Sequence, residues 1–310
     1  MFMQILFLLI GFVFLVKGAD WFVEGSSAIA HRMGIASIVI GLTIVAFGTS
    51  EPEAAVSIAA SLQGNTGIAV GNVLGSNIFN LLVVTGAAAL IKTVGVHDGI
   101  IRRDLPYSIL AAAVLLVLGF DGKLSRIDGL VLLLMMAYFM YYTFRSIPKQ
   151  EEETDENADL LRPSAGKAVV IAVVGLVGII LGGQMVVDSA SALAVALGVS
   201  QAVIGLTIVA VGTSLPELVT SAVAARKGES DIAIGNVVGS NIFNILSILA
   251  ISSIVSPLGF AVHSLWDCAI LIALSLVAWG MAVKNKTYGK IAGAVGILTY
   301  VAYTAYILVR

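Results

Sequence analysis

The sequence predicts an all-α polytopic membrane protein: ten transmembrane helices arranged as two inverted-topology five-helix repeats. Three observations carry that expectation. The 310 residues are 59% hydrophobic and only 12% charged, with a mean hydropathy of +1.02. Residues 41–86 and 205–250 align without a gap at an offset of 164 and are identical at 26 of 46 positions. Lysine and arginine, finally, fall almost entirely in alternate loops.

A soluble domain of this size carries about twice that charge, so the bilayer is the solvent. A span needs about 20 apolar residues, and ten segments qualify: roughly 3–24, 35–60, 67–91, 105–120, 127–146, 166–187, 199–225, 231–255, 263–283 and 288–308. The first has the apolar run of a signal peptide but neither a basic leader nor an Ala-x-Ala cleavage site, and is read as the first membrane helix. Gly34, Gly64, Gly122, Gly198 and Gly228 punctuate the gaps. The longest gap, 147–165, holds Glu151, Glu152, Glu153, Asp155, Glu156 and Asp159 and reads as a solvated linker. The expected division is a first five-helix repeat over 1–146, the acidic linker over 147–165, and a second repeat over 166–310.

Orientation follows from basic residues, because cytoplasmic loops retain them. The loops after segments 1, 3, 5, 7 and 9 hold thirteen, among them Arg102, Arg103, Arg226, Lys227, Lys284 and Lys286. The other side holds only Lys123, Arg126 and Arg310. The expected location is the cytoplasmic (inner) membrane, multi-pass, with the linker cytoplasmic and both termini outside. Five helices per repeat is an odd number, so the second copy enters the membrane from the opposite face. In carriers built this way the binding site lies near the midplane, where the halves meet.

The repeated hexapeptide Gly-Thr-Ser-x-Pro-Glu marks that place. Glu53 and Glu217 fall well inside segments 2 and 7, where a carboxylate costs about 2.5–3.5 kcal/mol on insertion scales. No Lys or Arg lies at comparable depth in segments 2, 3, 7 or 8. Each carboxyl is therefore either protonated or neutralised by a mobile cation. Pro52 and Pro216 lack an N–H, which frees the carbonyls of Gly48 and Gly212. Broken backbone inside a membrane is tolerated where it lines a cavity or binds an ion.

At 100° per residue, Thr43, Ser50, Glu53 and Ser57 fall within about 80° of one another, as do Thr207, Ser214, Glu217 and Ser221. In the next helix of each repeat, Asn72, Ser76 and Asn80 share a face, matched by Asn236, Ser240 and Asn244. Gly71, Gly75, Gly235 and Gly239 permit close helix approach. Asn77 and Asn241 sit one residue off the polar face, placed to cap or bridge helices. The candidate ligands are thus carboxylate, amide, hydroxyl and carbonyl oxygens, which suit calcium, sodium or magnesium. Three histidines near helix ends and a lone Cys268 argue against soft metals.

These segments, GTSEPE with GNVLGSNIFN and GTSLPEL with GNVVGSNIFN, resemble the two α-repeats of the cation/calcium antiporter superfamily, and within it the sodium/calcium exchangers. The Asn-Ala-Ala-Glu pattern of the proton-coupled vacuolar branch is absent. The resemblance implies calcium held by Glu53 and Glu217 with the carbonyls of Thr49 and Thr213. It implies flanking sodium sites, one of Glu53, Ser76, Ala210, Thr213 and Ser214, the other of Ala46, Thr49, Ser50, Glu217 and Ser240. Asn80 and Asn244 would line the centre, and helices 1 and 6 would slide to give alternating access; Asn72 and Asn236, from the polar faces described above, complete the candidate ion ligands. Some relatives carry Asp where this chain has Asn244, which argues against potassium co-transport.

The expected activity is calcium/sodium antiport across the membrane; the alternative is calcium/proton exchange on the same fold. No enzymatic step is expected, because no His-Glu-x-x-His or nucleophile–base motif occurs; no cofactor, nucleic acid or required protein partner is expected either. The expected partners are the transported calcium and sodium ions and the lipid bilayer. One position breaks the symmetry beside the motif: Glu51 stands where the second copy has Leu215. It points at another helix, faces a vestibule or carries a proton; the sequence leaves these open.

Overall fold

The computed structural model describes residues 1–145, 163–198, 208 and 210–309. Most of the acidic linker, Thr207 and Arg310 lie outside them, as does the start of the seventh expected segment. The described chain is helical apart from two short strand pairings. In order it runs α1 (Phe2–Arg32), α2 (Ser37–Thr49), α3 (Glu51–Leu62), α4 (Thr66–Ile91), β1 (Val94–Gly95), α5 (Ile100–Asp121), β2 (Lys123–Leu124) and α6 (Arg126–Arg145). After the linker come α7 (Ala165–Ala196), α8 (Ala210–Thr213), α9 (Leu215–Lys227), α10 (Ser230–Val255), β3 (Leu258–Gly259), α11 (Val262–Asn285), β4 (Thr287–Tyr288) and α12 (Lys290–Val309). Among the described residues, eight helices are long and apolar enough to cross a bilayer, or nine when α2 and α3 count as one bent span.

Four of the expected spans differ from expectation. α1 and α7 run 31 and 32 residues, past the polar Glu24 and Asp188 where the apolar runs end. Both acids are exposed while Phe22, Val23 and Ser26, and Val186 and Ser189, stay buried. The buried stripe thus outlasts the uniformly apolar run. Gly34 (φ 62°) and Gly198 (φ 82°) follow these two helices, in a left-handed conformation that favours glycine. The span expected over 35–60 is two helices bent by 48° across Ser50. α5 starts at Ile100, not 105, so Arg102 and Arg103 lie in its first turns and Arg103 pairs with Asp104 at 2.6 Å.

α1 and α7 pack along each other through small residues. A Cβ on Gly18 would come within 2.7 Å of the Gly175 carbonyl oxygen, and one on Gly182 within 2.6 Å of the Leu15 nitrogen. The remaining helices form the main body. Its core holds Val73, Ile78, Leu115, Leu132, Ile242, Leu246 and Leu271, and α10 is its most deeply buried helix, followed by α4.

Two antiparallel strand pairs, absent from the ten-helix expectation, tie the halves together. β1 pairs with β4, Val94 opposite Tyr288. β2 pairs with β3, Leu124 opposite Leu258. α5 runs from one pair to the other, so they sit at opposite ends of the bundle. Beside the first, Lys286 bonds Asp98 at 2.8 Å and holds that exposed carboxyl below its ordinary range.

Candidate functional site

The site forms where α2–α3 and α8–α9 cross α4 and α10. Ser50 and Ser214 occupy the breaks between helix pairs, with φ, ψ of −83°, 8° and −91°, 8°. This is the sparsely populated bridge region. Proline follows two residues later in both, at the start of a new helix, where its missing N–H costs nothing. Each break therefore delivers a serine hydroxyl and, one turn on, a glutamate to the middle of the bundle.

The hydroxyls cross between halves. Ser214 Oγ donates to Glu53 Oε1 at 2.8 Å, and Ser50 Oγ donates to Glu217 Oε1 at 3.0 Å. Within each half a second serine joins: Ser76 to Glu53 Oε1 at 3.3 Å and Ser240 to Glu217 Oε1 at 3.4 Å. Glu53, Glu217, Ser50, Ser214 and Ser240 are fully buried and Ser76 nearly so. Both Glu53 Oε2 and Glu217 Oε2 are buried without a hydrogen-bond partner.

Amides build the surround. Asn72 donates to the Glu53 carbonyl at 3.3 Å and to Ser57 Oγ at 3.0 Å. Asn236 does the same to the Glu217 carbonyl and Ser221 Oγ, at 3.4 and 3.0 Å. Thr49 Oγ1 donates to Asn236 Oδ1 at 2.9 Å, and Thr213 Oγ1 to Asn72 Oδ1 at 3.4 Å. Asn80 and Asn244 are fully buried, and each opens a π-helical turn, Asn80–Val84 and Asn244–Leu249. Such turns recur at functional sites. Both polar atoms of Asn80 and the Oδ1 of Asn244 lack partners.

Asn77 and Asn241 bridge, as their off-face position suggested. Each donates to the other's carbonyl, at 3.0 and 3.1 Å, and Asn244 Nδ2 donates to Asn77 Oδ1 at 3.0 Å. They clamp α4 to α10 at the level of the site. Gly239 brings α10 against α2: a Cβ there would lie 2.6 Å from the Leu42 carbonyl oxygen and 2.7 Å from Ala46 Cβ. Ala46 is buried beside the site, and Ser240 Oγ reaches its carbonyl at 3.4 Å. The side chain of Ala210 lies outside the described residues.

One sequence grouping fails. Thr43 shares a face with Ser50 and Glu53 only on an uninterrupted wheel. A π turn over Gly41–Val45 changes the phase, and the Thr43 hydroxyl is spent on the Val39 carbonyl at 2.6 Å. Its counterpart Thr207 lies outside the described residues. Ser57 and Ser221 do more than extend the polar face: placed i+4 from the glutamates, they accept from Asn72 and Asn236 and orient them.

Chemically, the site offers carboxylate, amide, hydroxyl and carbonyl oxygens and no fixed positive charge. Among the described residues, no group of three or more His, Cys, Asp and Glu side chains could hold a metal. A hard cation fits the two unpartnered carboxylate oxygens, whose burial without a counter-charge is otherwise costly. The two sides are unequal. Asn236 is fully buried, whereas Asn72 is half-buried and Gly71 and Gly67 next to it are exposed.

Comparison with known proteins agrees. The family model described as sodium/calcium exchanger protein matches residues 3–145 and 167–310. The sodium/calcium exchanger MaX1 of Methanosarcina acetivorans is 36% identical, the match covering 98% of this chain and 97% of that one. Inner membrane protein YrbG of Escherichia coli K12 is 39% identical over 81% of this chain and 79% of its own length. Among solved structures, that of the sodium-calcium exchanger NCX_Mj superposes with a TM-score of 0.87 at 35% identity, covering 97% of this chain and 98% of that one.

Proposed function

This chain belongs to the sodium/calcium exchanger protein family, and we propose that it exchanges calcium for sodium across the cytoplasmic membrane by alternating access. The observation that carries the reading is the pair of unpartnered oxygens, Glu53 Oε2 and Glu217 Oε2, buried between two halves that supply each other's serine donors. Calcium takes both carboxylates together with the Thr49 and Thr213 carbonyls. Sodium takes the flanking positions, with Ser76, Ser214, Thr213 and Ala210 on one side and Ser240, Ser50, Thr49 and Ala46 on the other. Asn80, Asn244, Asn72 and Asn236 line and brace the centre. The proposal involves no enzymatic step, no resident cofactor and no obligatory protein partner.

The reading includes ten spans in two inverted five-helix repeats, 1–146 and 166–310, joined by a cytoplasmic linker. Matched contacts offset by 164 support it, as do strand pairs at opposite ends of the bundle. The Lys/Arg bias assigns the Lys227 end of α9 to the cytoplasm and the Leu62 end of α3 to the outside. The less covered side of the site, at Asn72 and Gly71, then faces outward. Charge explains why exchange is obligatory. Two carboxylates with one calcium are neutral and can be occluded in a low-dielectric barrier; empty, they carry two negative charges and resist it.

Proteoliposomes loaded with sodium and supplied with external radioactive calcium test this. Uptake driven by outward sodium, and lost in Glu53→Gln, is the expected result. Uptake driven by a pH gradient and indifferent to sodium would assign the chain to calcium/proton exchange instead. Equal calcium flux without any counter-cation would overturn the exchange reading altogether.

A further inference from the structure

The two halves cover the site unequally, and the inequality is written in specific side chains. The offset of 164 matches Glu51, Ala55 and Ala59 of α3 to Leu215, Val219 and Val223 of α9. The second set packs into the cluster that holds Leu15, Phe22 and Val23 of α1. The first set is exposed. α1 accordingly lies along α9, whereas its counterpart α7 barely touches α3.

Polar contacts reinforce the covered side. Lys227 Nζ stands 3.0 Å from Asp20 Oδ1 and donates to the Asp20 carbonyl at 2.8 Å. Arg226 reaches the same carboxylate at 3.4 Å. Ser27 Oγ donates to Glu229 Oε1 at 2.7 Å. At the matching positions of the other side stand Gln184 for Asp20, Leu62 and Gln63 for Arg226 and Lys227, and Asn65 for Glu229. None of these is charged, so no equivalent latch can form there.

We propose that Asp20, Lys227 and Glu229 on one side and Glu51 on the other are positioning residues that set the sidedness of the exchanger, holding its resting state in the arrangement whose outer side is the less covered one. The inference rests on the alternating-access reading above. To open inward, α1 must leave α9 and α7 must cover α3 as α1 now covers α9. The first movement breaks the latch. The second places Glu51 where Leu215 sits in the covered half, against apolar helix surface, where burying a carboxylate without a partner is strongly disfavoured. A leucine at position 51 would carry no such penalty.

Cysteines introduced at the exposed Leu62 and Leu197 accept spin labels at the open end of α3 and α7, because the native Cys268 is buried. Dipolar distance measurement on the full chain in lipid nanodiscs then reads the opening directly. Wild type should show one dominant long distance. Lys227→Gln should move weight to a shorter distance by about two- to fivefold, the range of a partly exposed ion pair. Glu51→Leu should move it the same way, and it only copies the residue found in the other half. In right-side-out and inside-out vesicles, both variants should weaken apparent calcium affinity at the outer face and strengthen it at the inner face, as a population shift requires. Unchanged distances in both variants, or affinities that move together at the two faces, would overturn the proposal. The distance arm needs no transported ion, so a carrier of other cations would still show the shift, and failure of the calcium assignment is told apart from failure of the sidedness assignment.

Discussion

Ser50 of the first half donates its hydroxyl proton to Glu217 of the second across 3.0 Å, in a site where neither residue touches solvent. The carboxylate of each half is thus held by a break in the helix of the other. Neither half contains a finished site. Predictions follow from how little else supports these carboxylates.

Glu53→Gln and Glu217→Gln should each reduce calcium flux at least about a hundredfold, because a neutral amide cannot balance a divalent charge in a medium where charge is costly. The same substitutions remove a buried charge. Thermal unfolding in detergent without calcium should therefore be unchanged or raised, the usual opposition between stability and function. A fall in both flux and stability would mean the glutamates are structural.

Ser214→Ala and Ser50→Ala should weaken apparent calcium affinity by roughly tenfold each. A hydrogen bond to a charged acceptor contributes about 1.5–3 kcal/mol, and 1.4 kcal/mol is a factor of ten. In a double-mutant cycle Ser214→Ala should couple to Glu53→Gln and not to Glu217→Gln, since its hydroxyl reaches only Glu53. Calcium titrations of the six proteins, wild type, three single and two double variants, decide it.

Saturating calcium should stabilise the protein. At a hundred times the dissociation constant, binding to the folded state alone adds about 2.7 kcal/mol. The rise in unfolding temperature should vanish in Glu53→Gln, whereas magnesium, which dehydrates reluctantly, should produce little of it.

Gly239→Ala should destabilise by about 1–3 kcal/mol, the cost of overpacking, because its Cβ would lie 2.6 Å from the Leu42 carbonyl oxygen. Thermal unfolding of this variant tests it; an unchanged unfolding temperature would mean that α10 and α2 do not approach so closely.

Much of this arrangement was legible in the sequence, because a hexapeptide repeated at one fixed offset marks equivalent depths in two helices. That spacing brought Ser50, Glu53, Ser214 and Glu217 to one level, and Asn72, Ser76 and their counterparts to the facing helices. What escaped was phase and length. A π turn shifts everything before it, which is why Thr43 bonds its own helix. Two-residue strands are too short for any alternation to show, so the pairing of Val94 with Tyr288 left no trace in the hydropathy pattern. Helices α1 and α7 outran their apolar segments because only one face is buried past Glu24 and Asp188. The meaning of Glu51 needed the second half in place: it is exposed, and among the described residues no helix covers its side of α3.

The serine crossover also dictates an order of manufacture. Glu53 leaves the ribosome 161 residues ahead of Ser214, its nearest hydroxyl donor. At ~5–20 residues per second, that is an interval of roughly ten to thirty seconds. For that time the nascent chain carries a membrane-embedded acid without its cross-half donor. The early segments must be sheltered by water, by the insertion machinery or by a bound ion until the late ones arrive. Glu217 has no such wait, because Ser50 is already in place when it emerges; the burden of biogenesis falls on the first half alone.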